Sequence, residues 1–246
     1  MLEDKYRKYL SDRSESTVRP YLVNVRQFVS QYNEISIDNV KQYLTAFNND
    51  YSYNNAVKAL KHLGRLYGIE LAVHVKPVSS EKLIIAPKKD TVLKLLRGIK
   101  NKQVRTYLML CATTGIRVTR LLNLNWSDID LDNGFILRRV EHRRTKWYRP
   151  NPLHKDVREL LLQLDRTTER LFPFTGKKIG LAIQSTGIKI TPTQLRDFFY
   201  NQALQCGMNT EVVEWLMGHD IGIAKHYLAD NIKQEYSRFE QAVRLA

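Results

Sequence analysis

Along the first third of the chain, apolar residues recur at helical spacing. Leu2, Tyr6, Tyr9 and Leu10 share one face of a first helix. After the polar break Ser14-Glu-Ser-Thr17, a second helix carries Val18, Leu22, Val25, Phe28 and Val29 on one side. The stretch ISIDNVKQYLTAF (35–47) begins a third, with Asp38 as its expected N-cap, and SYNNAVKALKHLGRLYGI (52–69) a fourth that stops at Gly68. Four amphipathic helices of this kind can bury a common core and fold as a small unit.

The pattern breaks at VKPVSSEKLIIAPKK (75–89), which holds two prolines, two serines and four lysines. Proline sustains neither a helix interior nor a central strand, so this stretch reads as a linker. The expected organisation is a helical domain over 1–74, a linker over 75–82 and a second domain over 83–246. In the second domain the periodicity is mixed. DTVLKLLRGI, VRTYLMLCATTG (ending at Gly115), VTRLLNL, VRELLLQL, QLRDFFYNQALQCG, TEVVEWLMGH and the terminal QEYSRFEQAVRLA read as helices. GFILRRVEH (134–142) and KWYRPNPL (146–153) read as two strands joined by a short basic turn. The fold class is therefore mainly α with a small β-sheet, the second domain being α+β.

Of the 246 residues, 43% are apolar and the mean hydropathy is −0.40, ordinary for a soluble chain with a real core. The opening MLEDKYRKYL has no apolar h-region, and no run approaches the roughly 18 apolar residues of a membrane span. The expectation is an intracellular, cytoplasmic protein with no membrane partner. Cys111 and Cys206 both lie in apolar helical contexts and read as buried thiols rather than a disulfide. Charge changes the picture more. The net charge is +14, yet residues 1–75 hold 10 basic and 8 acidic side chains while residues 76–246 hold 29 and 17. So lopsided a surface calls for a polyanion, and the basic residues are scattered over helix, hairpin and loop rather than along one amphipathic membrane-binding helix.

Four local features could carry chemistry. In TTGIRVTRLLNL (113–124), Arg117 follows a glycine turn and opens a helix, where it could face a bound anion or simply be solvated. The hairpin carries Arg138, Arg139, Arg143, Arg144, Lys146 and Arg149 with Glu141 as its only acid, either a ribbon for a DNA groove or an exposed charged turn. TPTQLRDFF (191–199) starts a helix with Arg196 one turn in and Leu195, Phe198 and Phe199 on its buried side; the plain alternative is a surface arginine. LMGHDIGIAKHYLAD (216–230) gathers His219, His226 and Tyr227, open to a metal site, a packed helix end or a catalytic cluster. His142 and His154 have no partner pattern, and there is no HxxxH or CxxC, so no metal and no cofactor are expected.

Together the four resemble the tyrosine recombinases of the phage-integrase superfamily over nearly the whole chain. TTGIRVTRLLNLNWSDIDL is similar to the family's first arginine box, ITPTQLRDFF to its second, T-P-H-x-L-R, and LMGHDIGIAKHYL to its last, which ends in the nucleophilic tyrosine. The form of the last box, with KHY and a closing EYSRFEQAV helix, is most similar to archaeal integrases of viral or plasmid origin. The resemblance implies an N-terminal core-binding domain and a C-terminal catalytic domain closing as a C-shaped clamp on duplex DNA.

It also implies roles. Tyr227 would attack a phosphodiester, forming a 3′-phosphotyrosine and releasing a 5′-hydroxyl without ATP or metal. Arg117 and Arg196 would clamp the phosphate oxygens, His219 would add a hydrogen bond, and Lys146 would protonate the leaving oxygen. His226 and Tyr236 are expected to pack. The implied partner is double-stranded DNA bearing a specific site, with a monomer assembling into dimers and tetramers on it. The stripe Tyr236, Phe239, Val243 and Leu245 of the terminal helix then docks either on its own domain or on a neighbouring protomer.

The chain departs from the family pattern in places. Thr193 stands where the second box has its histidine, and a hydroxyl cannot shuttle protons near neutral pH. Arg120 stands where an acid commonly braces the first arginine, and could instead face DNA. His219 and Tyr227 are eight residues apart, one fewer than usual, and the spacing from Lys146 to Pro152 is one longer, so Arg143 or Arg144 could take the lysine's place. Two other functions share these features: a sequence-specific DNA-binding protein with weak or lost recombination, and a relaxing enzyme similar to type IB topoisomerases.

Overall fold

A computed structural model describes residues 2–77, 85–137, 150–219 and 231–245. The chain divides into two compact units, residues 1–83 and 84–246. Among the described residues four helices build the first: α1 (Leu2–Tyr9), α2 (Glu15–Gln31), α3 (Ile37–Leu44) and α4 (Asp50–Leu66). Tyr6, Leu22, Val25, Phe28, Leu60 and Leu63 are buried at its centre, and the Tyr6 hydroxyl donates to the Ala59 carbonyl at 2.8 Å. Two local expectations fail here. The N-cap of α3 is Ser36, whose hydroxyl accepts from Asn39 N, while Asp38 lies inside the first turn. Ser36 wins because a capping side chain must accept from amides two or three residues ahead. Val29 is 38% exposed although its helical spacing keeps it on the same stripe as Val18, Leu22 and Val25.

The second unit is built from α5 (Lys89–Gly98), α6 (Lys102–Thr114), α7 (Val118–Leu121), α8 (Lys155–Leu162), α9 (Gly176–Gln184), α10 (Pro192–Gln205), α11 (Thr210–Leu216) and α12 (Ile232–Ala242). A small antiparallel sheet runs in the order β1 (Ile129–Asp130), β2 (Phe135–Ile136) and β3 (Asn151–Pro152). Phe135 pairs with Pro152 and Ile136 with Asn151, as a hairpin would have them. Helix α6 is the axis: from Tyr107 to Thr114 every residue is buried, and α10 lies along it. A helix apolar on all sides is stable only when surrounded. Cys111 is buried as expected, but Cys206 is half-buried at the end of α10, and both are free thiols. Helix α9 has no counterpart in the sequence reading.

The apolar residues of α12, which ends at Ala242 rather than running to 245, and of the extended segment after it pack on their own unit. Tyr236, Phe239, Val243 and Leu245 are all buried, with the Phe239 and Phe199 rings 5.1 Å apart and the Tyr236 hydroxyl donating to Thr113 O at 2.8 Å. Backbone ties hold the end of the chain: His154 Nε2 meets Val243 O at 2.8 Å and Leu245 N donates to Asp156 at 2.8 Å. His154 is thus a fully buried structural histidine. No helix among the described residues is long and apolar enough to cross a membrane.

Candidate active site

The first arginine is presented by the end of α6. That helix closes on Gly115 at a φ of 64°, Ile116 turns inward, and Arg117 takes up extended dihedrals as the residue capping α7. The Tyr107 hydroxyl fixes the start of the turn by donating to Val118 O at 3.0 Å. Helix α7 has a single turn, shorter than the sequence suggests, so it lends little dipole, and any anion affinity rests on the half-buried guanidinium itself. Arg120 is half-buried on the same turn.

Arg196 comes from α10, whose start is set by a capping box between Thr191 and Gln194 with Pro192 in the first turn. Its side chain is not on the helix surface: it is 9% exposed. Nη2 donates to Met217 O at 2.9 Å and faces His219 Nε2 at 3.4 Å, while Nη1 is buried without a hydrogen-bond partner among the described residues. Burial, and then the positive charge of Arg117, push the Arg196 pKa down to about 10, with Asp197 and Glu214 opposing only in part. The guanidinium stays charged at neutral pH. A buried cation with an unsatisfied donor beside a second cation is what the oxygens of one anionic group would neutralise.

His219 follows α11 through Gly218, whose φ of 76° folds the chain back so that His219 N donates to Glu214 O at 3.0 Å. The same turn brings His219 Nδ1 against the Glu214 carboxylate. The nearby Glu214 carboxylate, ahead of burial, raises the pKa of the Tyr200 phenol on α10. Thr193 is exposed on the first turn of α10. Tyr227, His226, Lys146, His142 and Arg138, Arg139, Arg143, Arg144 and Arg149 lie outside the described residues.

Two participants escaped the sequence reading. Asn151, buried in β3, donates from Nδ2 to Thr114 O at 2.8 Å and to Leu216 O at 3.0 Å. One amide thereby joins the strand after the basic hairpin to the helix ends that carry Arg117 and His219. Glu214 is the other, set against His219 Nδ1 and raising the pKa of Tyr200. Among the described residues, no group of three or more His, Cys, Asp or Glu side chains is placed to hold a metal ion.

Known proteins show the same architecture. Tyrosine recombinase XerA of Thermococcus kodakarensis is 27% identical over 236 residues, covering 85% of this chain and 83% of that one. A lambda integrase (75–356) dimer bound to a COC′ core site superposes with a TM-score of 0.65 at 19% identity, over 93% of this chain and 94% of that one. A lambda integrase tetramer bound to a Holliday junction gives 0.65 at 18%, over 92% and 76%. The relative of archaeal source agrees with the archaeal cast of the last box. Residues 88–234, more than half of the chain, match the phage integrase family, and the chain belongs to that family of tyrosine-type site-specific DNA recombinases.

Proposed function

We propose that this recombinase cuts and rejoins duplex DNA at a specific site through a 3′-phosphotyrosine formed on Tyr227. The convergence of Arg117, Arg196 and His219, with Arg196 Nη1 buried and unpartnered among the described residues, is the observation that supports it. Two guanidinium forks hold the non-bridging oxygens of the scissile phosphate, and their charge opposes the extra negative charge of the pentavalent transition state. Tyr227 attacks phosphorus, Lys146 protonates the departing 5′-oxygen, and the phosphotyrosine conserves the bond so that the reverse attack reseals the strand. Arg138, Arg139, Arg143, Arg144 and Arg149 contact the DNA backbone around the hairpin, and Arg120 does so beside Arg117. Residues 1–74 serve as the core-binding domain. Assembly into dimers and tetramers on DNA parallels the lambda integrase complexes.

Replacing Arg117 or Arg196 by alanine tests this reading. Cleavage should fall by about 10²–10³-fold, as when one preorganised transition-state donor is lost, while binding changes little because one phosphate contact among many disappears. Equal losses in binding and cleavage would reduce both arginines to positioning DNA. Thr193 supports a second reading, a DNA-binding protein with slow turnover, because its exposed hydroxyl cannot replace the histidine of the family pattern.

A further inference from the structure

The Arg196 guanidinium is a fork with unequal arms. Nη2 carries two protons, and two acceptors face it: the Met217 carbonyl at 2.9 Å and His219 Nε2 at 3.4 Å. Nη1 is buried and has no hydrogen-bond partner among the described residues. One arm is thus moored to the segment that closes α11, and the other is left for an oxygen of an anion. Two acceptors on one nitrogen fix the plane of the guanidinium, and with it the direction of Nη1. Met217 O alone would leave the fork able to swing about a single bond.

What His219 offers Arg196 is set by its other nitrogen. The Glu214 carboxylate only accepts hydrogen bonds, so the nitrogen against it, Nδ1, carries the proton. Nε2 of the neutral ring then holds a lone pair, which Arg196, a pure donor, requires. Both ring nitrogens are turned to partners inside the protein, and a neutral imidazole has no second N–H to give a phosphate. The His219 side chain is 41% exposed, so packing alone does not hold the ring in this setting. The carboxylate does, and the turn at Gly218 brings the two together, with His219 N donating to Glu214 O at 3.0 Å.

We infer that His219 acts on the bound phosphate through Arg196, as a positioning residue whose tautomer Glu214 selects, and not by a hydrogen bond of its own. The inference rests on the reading of Arg196 as a phosphate clamp. Glu214 also reaches Arg196 by charge, since its carboxylate favours the charged guanidinium against burial and against Arg117. A glutamine at 214 would remove that charge and could turn its amide donor toward Nδ1. The other tautomer would then be favoured, with an N–H set against Arg196 Nη2, and the fork would lose one of its two moorings. A misplacement of about 1 Å near a reacting centre costs about 10²-fold in rate.

The test reads the ring first and the reaction second. Protein with isotope-labelled histidine nitrogens is followed by NMR near neutral pH, free and bound to a duplex, the His219 signals being assigned by their loss in His219→Phe. Wild type should show the proton on Nδ1 and a bare Nε2 in both states, and Glu214→Gln should show an Nε2 proton in a large share of molecules. Single-turnover adduct formation on a saturating nicked duplex should fall about 10-fold in Glu214→Gln and about 10²-fold in His219→Phe, with duplex affinity unchanged within about 2-fold. Glu214→Asp should recover part of the rate. Beside His219→Phe, Glu214→Gln should cost only a small further factor, the part of its charge that reaches Arg196 directly. A proton on Nε2 in wild type, free or bound, overturns the inference. So does a wild-type tautomer and rate in Glu214→Gln, or an equal loss in both backgrounds, as a purely structural residue would give. No adduct in wild type on any duplex would overturn the reading of the clamp, and this inference with it; the tautomer, read without a reaction, keeps the two failures apart.

Discussion

Gly115 is where the parts of the site meet, and alanine there should be costly for reasons that can be separated. Its φ of 64° lies in the left-handed region, where an L side chain costs about 1–2 kcal/mol. An added Cβ would stand 2.7 Å from Met217 Sδ and 2.7 Å from both Cδ1 and Cε1 of Phe199. Overpacking of that kind adds about 1–3 kcal/mol, so the total for Gly115→Ala is about 2–5 kcal/mol. Gly187 is the internal control: its φ of 72° is similar, but nothing lies within 4 Å of its added Cβ. Gly187→Ala should therefore show only the backbone cost.

All three tryptophans fall in residues 84–246, so their fluorescence during urea unfolding reads this unit alone. In a thermal melt, each kcal/mol is about 2–4 °C for a unit of this size. The clash also reaches the chemistry. Phe199 shares α10 with Arg196, and the Met217 carbonyl is the acceptor of Arg196 Nη2. Adduct formation measured well below the melting temperature should thus fall in Gly115→Ala and not in Gly187→Ala. If the two variants lose equal stability, the close packing at Gly115 is not what constrains it, and the reasoning fails.

Asn151→Leu should destabilise the same unit by about 2–4 kcal/mol, because the buried carbonyls of Thr114 and Leu216 lose their donor; a loss under about 1 kcal/mol would show that they find other partners. His154 should make that unit acid-sensitive. Burial, outweighing the nearby Asp156 and Glu240 carboxylates, lowers its pKa below the ordinary value, so the fold favours the neutral ring. Its contribution is then fully present above the unfolded value of about 6.5 and is lost as pH falls from there toward the lowered folded value. Urea midpoints between pH 5 and 8 should show this slope, and His154→Gln should flatten it.

Much of the fold was legible because its helices announce themselves locally. The Thr191–Pro192 start of α10, the Gly115 end of α6 and the apolar faces of α2 and α4 are set by neighbours in sequence. Helix α9 was not, since glycines at 176 and 180 lower its intrinsic propensity and tertiary packing of Ile179 and Ile183 supplies what is missing. Arg196 sits between Leu195 and the Phe198–Phe199 pair, and periodicity alone cannot tell a buried arginine at that margin from a surface one. Glu214 was invisible for a related reason. It is five residues before His219, outside any helical neighbour rule, and only the turn at Gly218 brings the two side chains together. Asn151 needed the tertiary fold as well, since its acceptors are 37 and 65 residues away. The arginines of the first two boxes were placed by motif, and what the sequence could not show was how little solvent reaches Arg196.

The central claim is that Tyr227 becomes covalently joined to DNA. The measurement that tests it most directly is trapping on a nicked suicide duplex in the presence of EDTA, run on a denaturing gel beside Tyr227→Phe, with the linked peptide mapped. The account predicts a slow-migrating adduct in wild type alone, carried by the peptide containing Tyr227, and duplex binding of equal strength in both proteins. An adduct that persists in Tyr227→Phe, or tight salt-sensitive binding with no adduct on any duplex, would contradict it.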